Sequence, residues 1–222
     1  MRLPFRAIEL SVRRLCAALG TAGLMCVSVG CQQSPPQSKP HPDPAEPVPG
    51  IAATLPDRIP PNALVCVAPN AGNGHAISAV VPDPEAPKIS LSVPDGWSSS
   101  AGTGDIALAT TGPDGMSATV TIAATELDPG GSFLRYTANL GGSMPRLKFA
   151  VTGAQFCGYS SQRLSGTLQG QPGAIDFADR ITHVWTNTKK YLVAIHLEGP
   201  AGRAGFDAAK STLMQDFGVV IP

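Results

Sequence analysis

Few side chains in this 222-residue chain are suited to acid–base, nucleophilic or metal chemistry; among them are four histidines and five cysteines. Two of the histidines fall in a pair of alternating segments. In "GAIDFADRITHVW", His183 shares its parity with Asp179 and with Ile175, Phe177, Ile181 and Trp185, which the pattern turns inward. An Asp and a His four residues apart on one strand face lie about 13 Å apart by strand rise. That is too far for a hydrogen bond, so His183 reads as a satisfied, half-buried histidine rather than a general base. His196, in "KYLVAIHLE", has the opposite parity, with Lys190 and Glu198, and reads as solvated. The string "GYSSQ" from Gly158 fails as a nucleophile elbow because Gln162 stands where the last glycine belongs. No His, Cys and Asp grouping has metal-ligand spacing. "GTG" at 102–104 has no helix after it to hold a phosphate. These residues name no catalytic set, no metal and no cofactor.

The cysteines carry more information. Cys31 ends "SVGC", at the seam between an apolar run, Leu15 to Val29, and a proline-rich run. Arg2, Arg6, Arg13 and Arg14 precede the apolar run against the single acid Glu9, as in a secretory leader. Fifteen apolar residues fall short of the roughly 20 that span a bilayer. Small or medium residues before Cys31 resemble a bacterial lipobox, in which the cysteine is acylated and becomes the mature N-terminus; Ser28 stands where such boxes usually carry Leu. Several acyl chains give stable anchoring where one is marginal. The partner expected here is therefore a membrane, at its outer face, with residues 1–30 removed. Cys16 and Cys26 leave with the leader and Cys31 is consumed by lipid, so Cys66 and Cys157 remain. An even pair in an oxidising compartment is expected to form a disulfide.

Residues 31–61 hold ten of the chain's 22 prolines and almost nothing apolar to bury. Such a segment favours polyproline II and reads as a tether. Residues 62–222 are long enough for one domain with its own core. Losing the leader takes four Arg and one Glu from a balanced 16 and 16, leaving a net charge of −3. With no basic cluster, nucleic acid is not an expected partner.

The elements that must position these residues are mostly strands. "KISLSVP" sets Ile89, Leu91 and Val93 on one face, and "MSATVTIAATE" sets Met116, Ala118, Val120 and Ile122 on one face, a period of two. The two histidine-bearing segments form a hairpin around "TNTKK", with Tyr191, Val193, Ile195 and Leu197 inward on the second strand. "SFLRYTANLGG" reads as a helix capped by Ser132, striped by Phe133, Tyr136 and Leu140 and stopped at Gly141. "GRAGFDAAKSTLMQDFG" reads as a second, with Phe206, Ala209, Leu213 and Phe217 on one stripe. An antiparallel sheet with a mid-chain and a C-terminal helix defines an α+β layered fold.

"SVPDGW", the alternating strand, the helix, the hairpin "GAIDFADRITHVW…KKYLVAIHL" and the closing "MQDFGVV" together resemble the mycobacterial LpqN/LpqT-type lipoprotein family. The resemblance runs from about Lys88 to Val220. It implies a PsbP-like α/β sandwich, a place in the cell envelope and no established enzymatic activity. The stretch from Ala63 to Pro84 has no counterpart in that pattern. Trp97 and Trp185 read most simply as core anchors. In a functional reading they join Tyr136 and Phe177 around an apolar pocket between sheet and helix. Three functions stay open. The first is a tethered, non-enzymatic binding module of the envelope with an unknown protein or lipid partner. The others are a carrier or sensor of a lipid-like ligand, and a hydrolase with an unrecognised site.

Overall fold

Period-two segments that alternate apolar and polar residues form strands here, and two sheets share their burial. The computed structural model describes residues 47–53, 58–68, 74–143, 147–169 and 173–222, all within one compact unit. The leader and Cys31 lie outside them. The strands are β1 (Leu64–Cys66), β2 (Gly74–Ala79), β3 (Lys88–Pro94), β4 (Ser98–Ala101), β5 (Ile106–Thr111), β6 (Ser117–Ala124), β7 (Leu147–Gly153), β8 (Ser160–Leu168), β9 (Ile175–Trp185), β10 (Lys190–Pro200) and β11 (Gly218–Val220). The helices are α1 (Pro129–Ser143) and α2 (Phe206–Leu213). A seven-stranded sheet has the order β4-β5-β6-β10-β9-β8-β7 and a four-stranded sheet the order β1-β11-β3-β2, with every pairing antiparallel. The fold is α+β, as the segment order implies. No helix among the described residues is long and apolar enough to cross a membrane.

Each face of the large sheet has its own core. Val120, Ile122, Val193, Ile195 and Leu197 meet Ile89, Leu91, Val93 and Val219 of the small sheet and Phe206, Ala209 and Leu213 of α2. Phe177, Ile181, Leu164 and Ala194 meet Phe133 of α1 on the opposite face. The inner strand β9 is thus buried on both sides, and this corrects the reading of its parity. Tyr191, Val193, Ile195 and Leu197 pair with Val184, Thr182, Arg180 and Ala178. Those, not Phe177 and Ile181, face the core between the sheets.

Two helix boundaries also differ from expectation. Asp128, not Ser132, opens α1: its carboxylate accepts from Gly131 N at 2.6 Å and its carbonyl from Ser132 N at 2.9 Å. A carboxylate so placed satisfies donors that the first turn leaves free. Ser132 is fully buried inside the helix against Thr125. Gly141 does not stop α1, which continues to Ser143, whereas α2 ends at Leu213 and Phe217 packs from the segment beyond it.

That segment is held by a charge. Arg180 is 1% exposed and points into the core between the sheets. Its guanidinium donates to Met214 O at 3.0 Å and to Ala154 O at 3.1 Å, and pairs with Asp216 at 2.8 Å. The Phe156 and Phe217 rings lie 4.5 Å and 5.6 Å from its central carbon. Burial lowers its proton affinity and Asp216 counters this; a guanidinium stays charged either way.

Phe156 owes its place to the β7–β8 turn, a reciprocally bonded two-residue hairpin between Phe156 and Tyr159. Cys157 (φ 51°) and Gly158 (φ 78°) take the left-handed conformations that a type I′ turn requires. Cys157 is disulfide-bonded to Cys66, with Cα atoms 5.8 Å apart. The bond joins the first strand of the small sheet to the turn of the large one, as the cysteine count implied.

Residues upstream of the expected domain start also touch the domain. Ser161 N donates to Gly50 O at 2.9 Å, Gln162 Nε2 to Pro49 O at 2.8 Å and Ala52 N to Ser160 Oγ at 2.8 Å. A Cβ on Gly50 would fall 1.9 Å from Ser161 O, and its φ is +79°, so glycine is required at this crossing. Farther on, Asn187 brackets Ile59, its amide exchanging bonds of 3.0 Å and 2.8 Å with the Ile59 backbone.

Two stability measurements follow. Replacing Arg180 with Met strips a donor from two buried carbonyls at about 1–3 kcal/mol each, so urea unfolding should show a loss of at least about 2 kcal/mol. A loss within error of zero would remove Arg180 from its role. Opening the Cys66–Cys157 bond, which closes a loop of 91 residues, should cost about 4–5 kcal/mol in the chain-entropy model, read by comparing Cys66→Ser/Cys157→Ser with the oxidised parent.

Candidate functional site

The α1 side of the large sheet carries the polar groups with the least obvious structural purpose. Antiparallel register sets His196 of β10 directly across from Asp179 of β9. Asp179 is fully buried, and its Oδ1 lies 2.5 Å from His196 Nδ1. His196 is therefore not the solvated side chain that its parity suggested: its side chain is 24% exposed and sits between two carboxylates, with Nε2 3.6 Å from Glu198 Oε2. Phe177 stacks on the imidazole at 6.3 Å, with the rings 27° apart. The Asp179 Oδ2 atom has no hydrogen-bond partner among the described residues. Tyr136 of α1 lies near enough to feel that carboxylate without closing a well-formed bond to it. Burial first, and Asp179 second, push its phenol above the ordinary tyrosine value.

For His196, burial alone would lower proton affinity. The hydrogen bond to Asp179, its charge and Glu198 outweigh burial and hold the imidazole above its ordinary value. His183 behaves oppositely. It is 4% exposed, its Nε2 meets Leu127 O at 3.1 Å, and burial lowers it. It is the satisfied histidine expected, and it is not bonded to Asp179.

Beside this cluster an apolar groove of about 400 Å³ runs between α1 and β7–β8. Phe133, Leu134 and Thr137 form one wall and Val151 and Gln162 another, while Pro47, Val48 and Pro49 lie along it. Gln162 is 2% exposed, and its Oε1 has no partner among the described residues while its amide nitrogen holds Pro49. The groove is thus apolar with one buried acceptor.

The four aromatic residues proposed to share a pocket are divided by the sheet. Tyr136 and Phe177 pack together under α1, whereas Trp97 belongs to the core between the sheets, where its ring closes over Gly112. Trp185 is part-buried at the hairpin end of β9, across from Lys190. Among the described residues no group of three or more His, Cys, Asp or Glu could hold a metal ion by itself.

These features define the class: an α+β domain of two antiparallel sheets, with its second helix in the core between them and its first on the outer face of the larger. No family model and no curated protein matches the chain. Among solved structures it is similar to LpqN of Mycobacterium tuberculosis, described as involved in cell envelope biogenesis. That likeness has 14% identity and a TM-score of 0.53, and covers 66% of this chain and 91% of LpqN. It is also similar to PA94 of Pseudomonas aeruginosa, a protein of unknown function, at 14% identity over 62% of this chain and 92% of that one. The TM-score there is 0.38, too low to carry an argument. The LpqN likeness is a distant structural relation and establishes the shared fold alone.

A pH test follows from the opposite shifts of the two histidines. His196, raised in the folded state, contributes stability that is full below about pH 6.5 and is lost as pH rises through its folded value. His183, lowered, costs stability only as pH falls below about 6.5. The melting temperature of the parent should therefore fall on going from pH 6.5 to 9, and His196→Gln should flatten that slope. An unchanged slope in the variant would mean that the Asp179 pair does not titrate as described.

Proposed function

We propose that this chain is an exported lipoprotein of the cell envelope, anchored through Cys31, whose α+β domain is a non-enzymatic binding module. The observation that carries the reading is the Cys66–Cys157 disulfide, because such bonds persist in exported domains and are rare where thiols are kept reduced. The leader and lipobox-like "SVGC" agree with it, as does a fold shared with a protein of envelope biogenesis. The non-enzymatic reading is supported by the occupations of the polar groups. Ser161 Oγ bonds Ile181 O at 2.8 Å within the sheet, and His183 is held by a backbone carbonyl. The binding surface is the α1 side, where the groove runs past Pro47 and Pro49 of the proline-rich segment. Its partner is an envelope protein or lipid, not nucleic acid.

A second reading has one observation in its favour. The groove's apolar walls suit an apolar ligand, so the domain would act as a carrier or sensor of one.

Detergent partitioning tests the anchor. The parent should enter the detergent phase, Cys31→Ala should move to the aqueous phase, and the mature N-terminus should map to residue 31. Unchanged partitioning, or another N-terminus, would defeat the lipoprotein reading.

A further inference from the structure

His196 and Glu198 lie two residues apart on one face of β10, and their reactive atoms converge to 3.6 Å between Nε2 and Oε2. Two ligands each about 2.0–2.2 Å from a tetrahedral zinc ion stand about 3.4 Å apart. The far side of each residue is already engaged. Asp179 is a fully buried carboxylate and can only accept, so the proton of a neutral His196 ring sits on Nδ1 and Nε2 presents a lone pair. Glu198 Oε1 accepts from Ser117 Oγ at 3.4 Å, leaving Oε2 free to turn toward the imidazole. Phe177, stacked on the ring, restrains its rotation. This is the order carboxylate, histidine, metal, in which an outer carboxylate fixes the tautomer and raises the basicity of the ligand. With side chains 24% and 43% exposed, His196 and Glu198 can be reached from solvent.

We propose that His196 Nε2 and Glu198 Oε2 are the two protein ligands of a site for a zinc-like divalent cation, with Asp179 and Ser117 as outer partners and water completing the coordination. A proton competes for the same position, since an imidazolium between Asp179 and Glu198 would also be stable there. Metal binding therefore releases that proton, and apparent affinity rises with pH.

The test is a calorimetric titration of the detergent-solubilised mature protein with Zn²⁺ alone, in buffers of different ionisation enthalpy. One site with proton release is expected. It should weaken more than tenfold in His196→Gln and in Glu198→Gln, and about 10–100-fold in Asp179→Asn. It should persist in His75→Gln, which removes the only other exposed histidine–carboxylate pair among the described residues, His75 with Asp95 at 3.7 Å. If Asp179→Asn does not fold, the more exposed Glu198→Gln decides the matter. No binding by the parent would overturn the proposal. So would unchanged affinity in both His196→Gln and Glu198→Gln, or loss of the site in His75→Gln.

Discussion

A charged group at the centre of an apolar core constrains everything around it, and here that group is the Arg180 guanidinium. Removing such a cation from water costs several kcal/mol unless its donors are satisfied. The satisfaction comes from three residues in two separate places: Ala154 beside the β7–β8 turn, and Met214 and Asp216 after α2. Phe156 and Phe217 lie against its carbon framework. One side chain thereby fixes where the C-terminal segment leaves α2 to become β11, and so where the small sheet sits on the large one. The Cys66–Cys157 bond acts on the same turn from outside, through the residue next to Phe156.

The consequence for function is a division between the faces of the large sheet. The side toward the small sheet is filled by aliphatic and aromatic side chains and by Arg180. The α1 side holds Asp179, His196, Gln162 and Tyr136 together with the groove. A 15-residue helix over a seven-stranded sheet leaves part of that face open, and Leu134, on α1 and lining the groove, is 58% exposed. Pro49 and Gly50 of the proline-rich segment lie on this side too, held by Gln162 and Ser161. These residues, the groove and the titratable cluster therefore share one side of the domain.

Much of the fold was legible because its signals are local. Strict alternation in "KISLSVP", in "MSATVTIAATE" and in the histidine hairpin locates β3, β6, β9 and β10, and counting cysteines finds the disulfide. What was missed depends on register. A strand buried on both faces has no polar side to mark its orientation, so the parity of β9 picks out one of its two inward faces, with Phe177 and Ile181, and misses the other, with Arg180. His196 was judged by its own strand alone, yet its partner Asp179 lies across the ladder and is visible only once β9 and β10 are paired. The loop "TNTKK" is one residue longer than the actual connection, Thr186 to Lys189, and aligning the strands on it sets Asp179 opposite Leu197 instead of His196. β1, β2 and β11 are short or half-exposed and acquire their meaning from pairing. The capping of α1 turned on Asp128, one residue before a proline that is itself well suited to a first helical turn.

The central claim is that this domain binds its partner on the α1 side. A photo-crosslinking amino acid placed at position 137, in the groove wall, and at position 207, on the exposed side of α2, tests it directly in the intact envelope. The account predicts a discrete adduct, resolved by mass, from position 137 and none from position 207. Equal adducts at both positions, or none at 137 while 207 reacts, would contradict it.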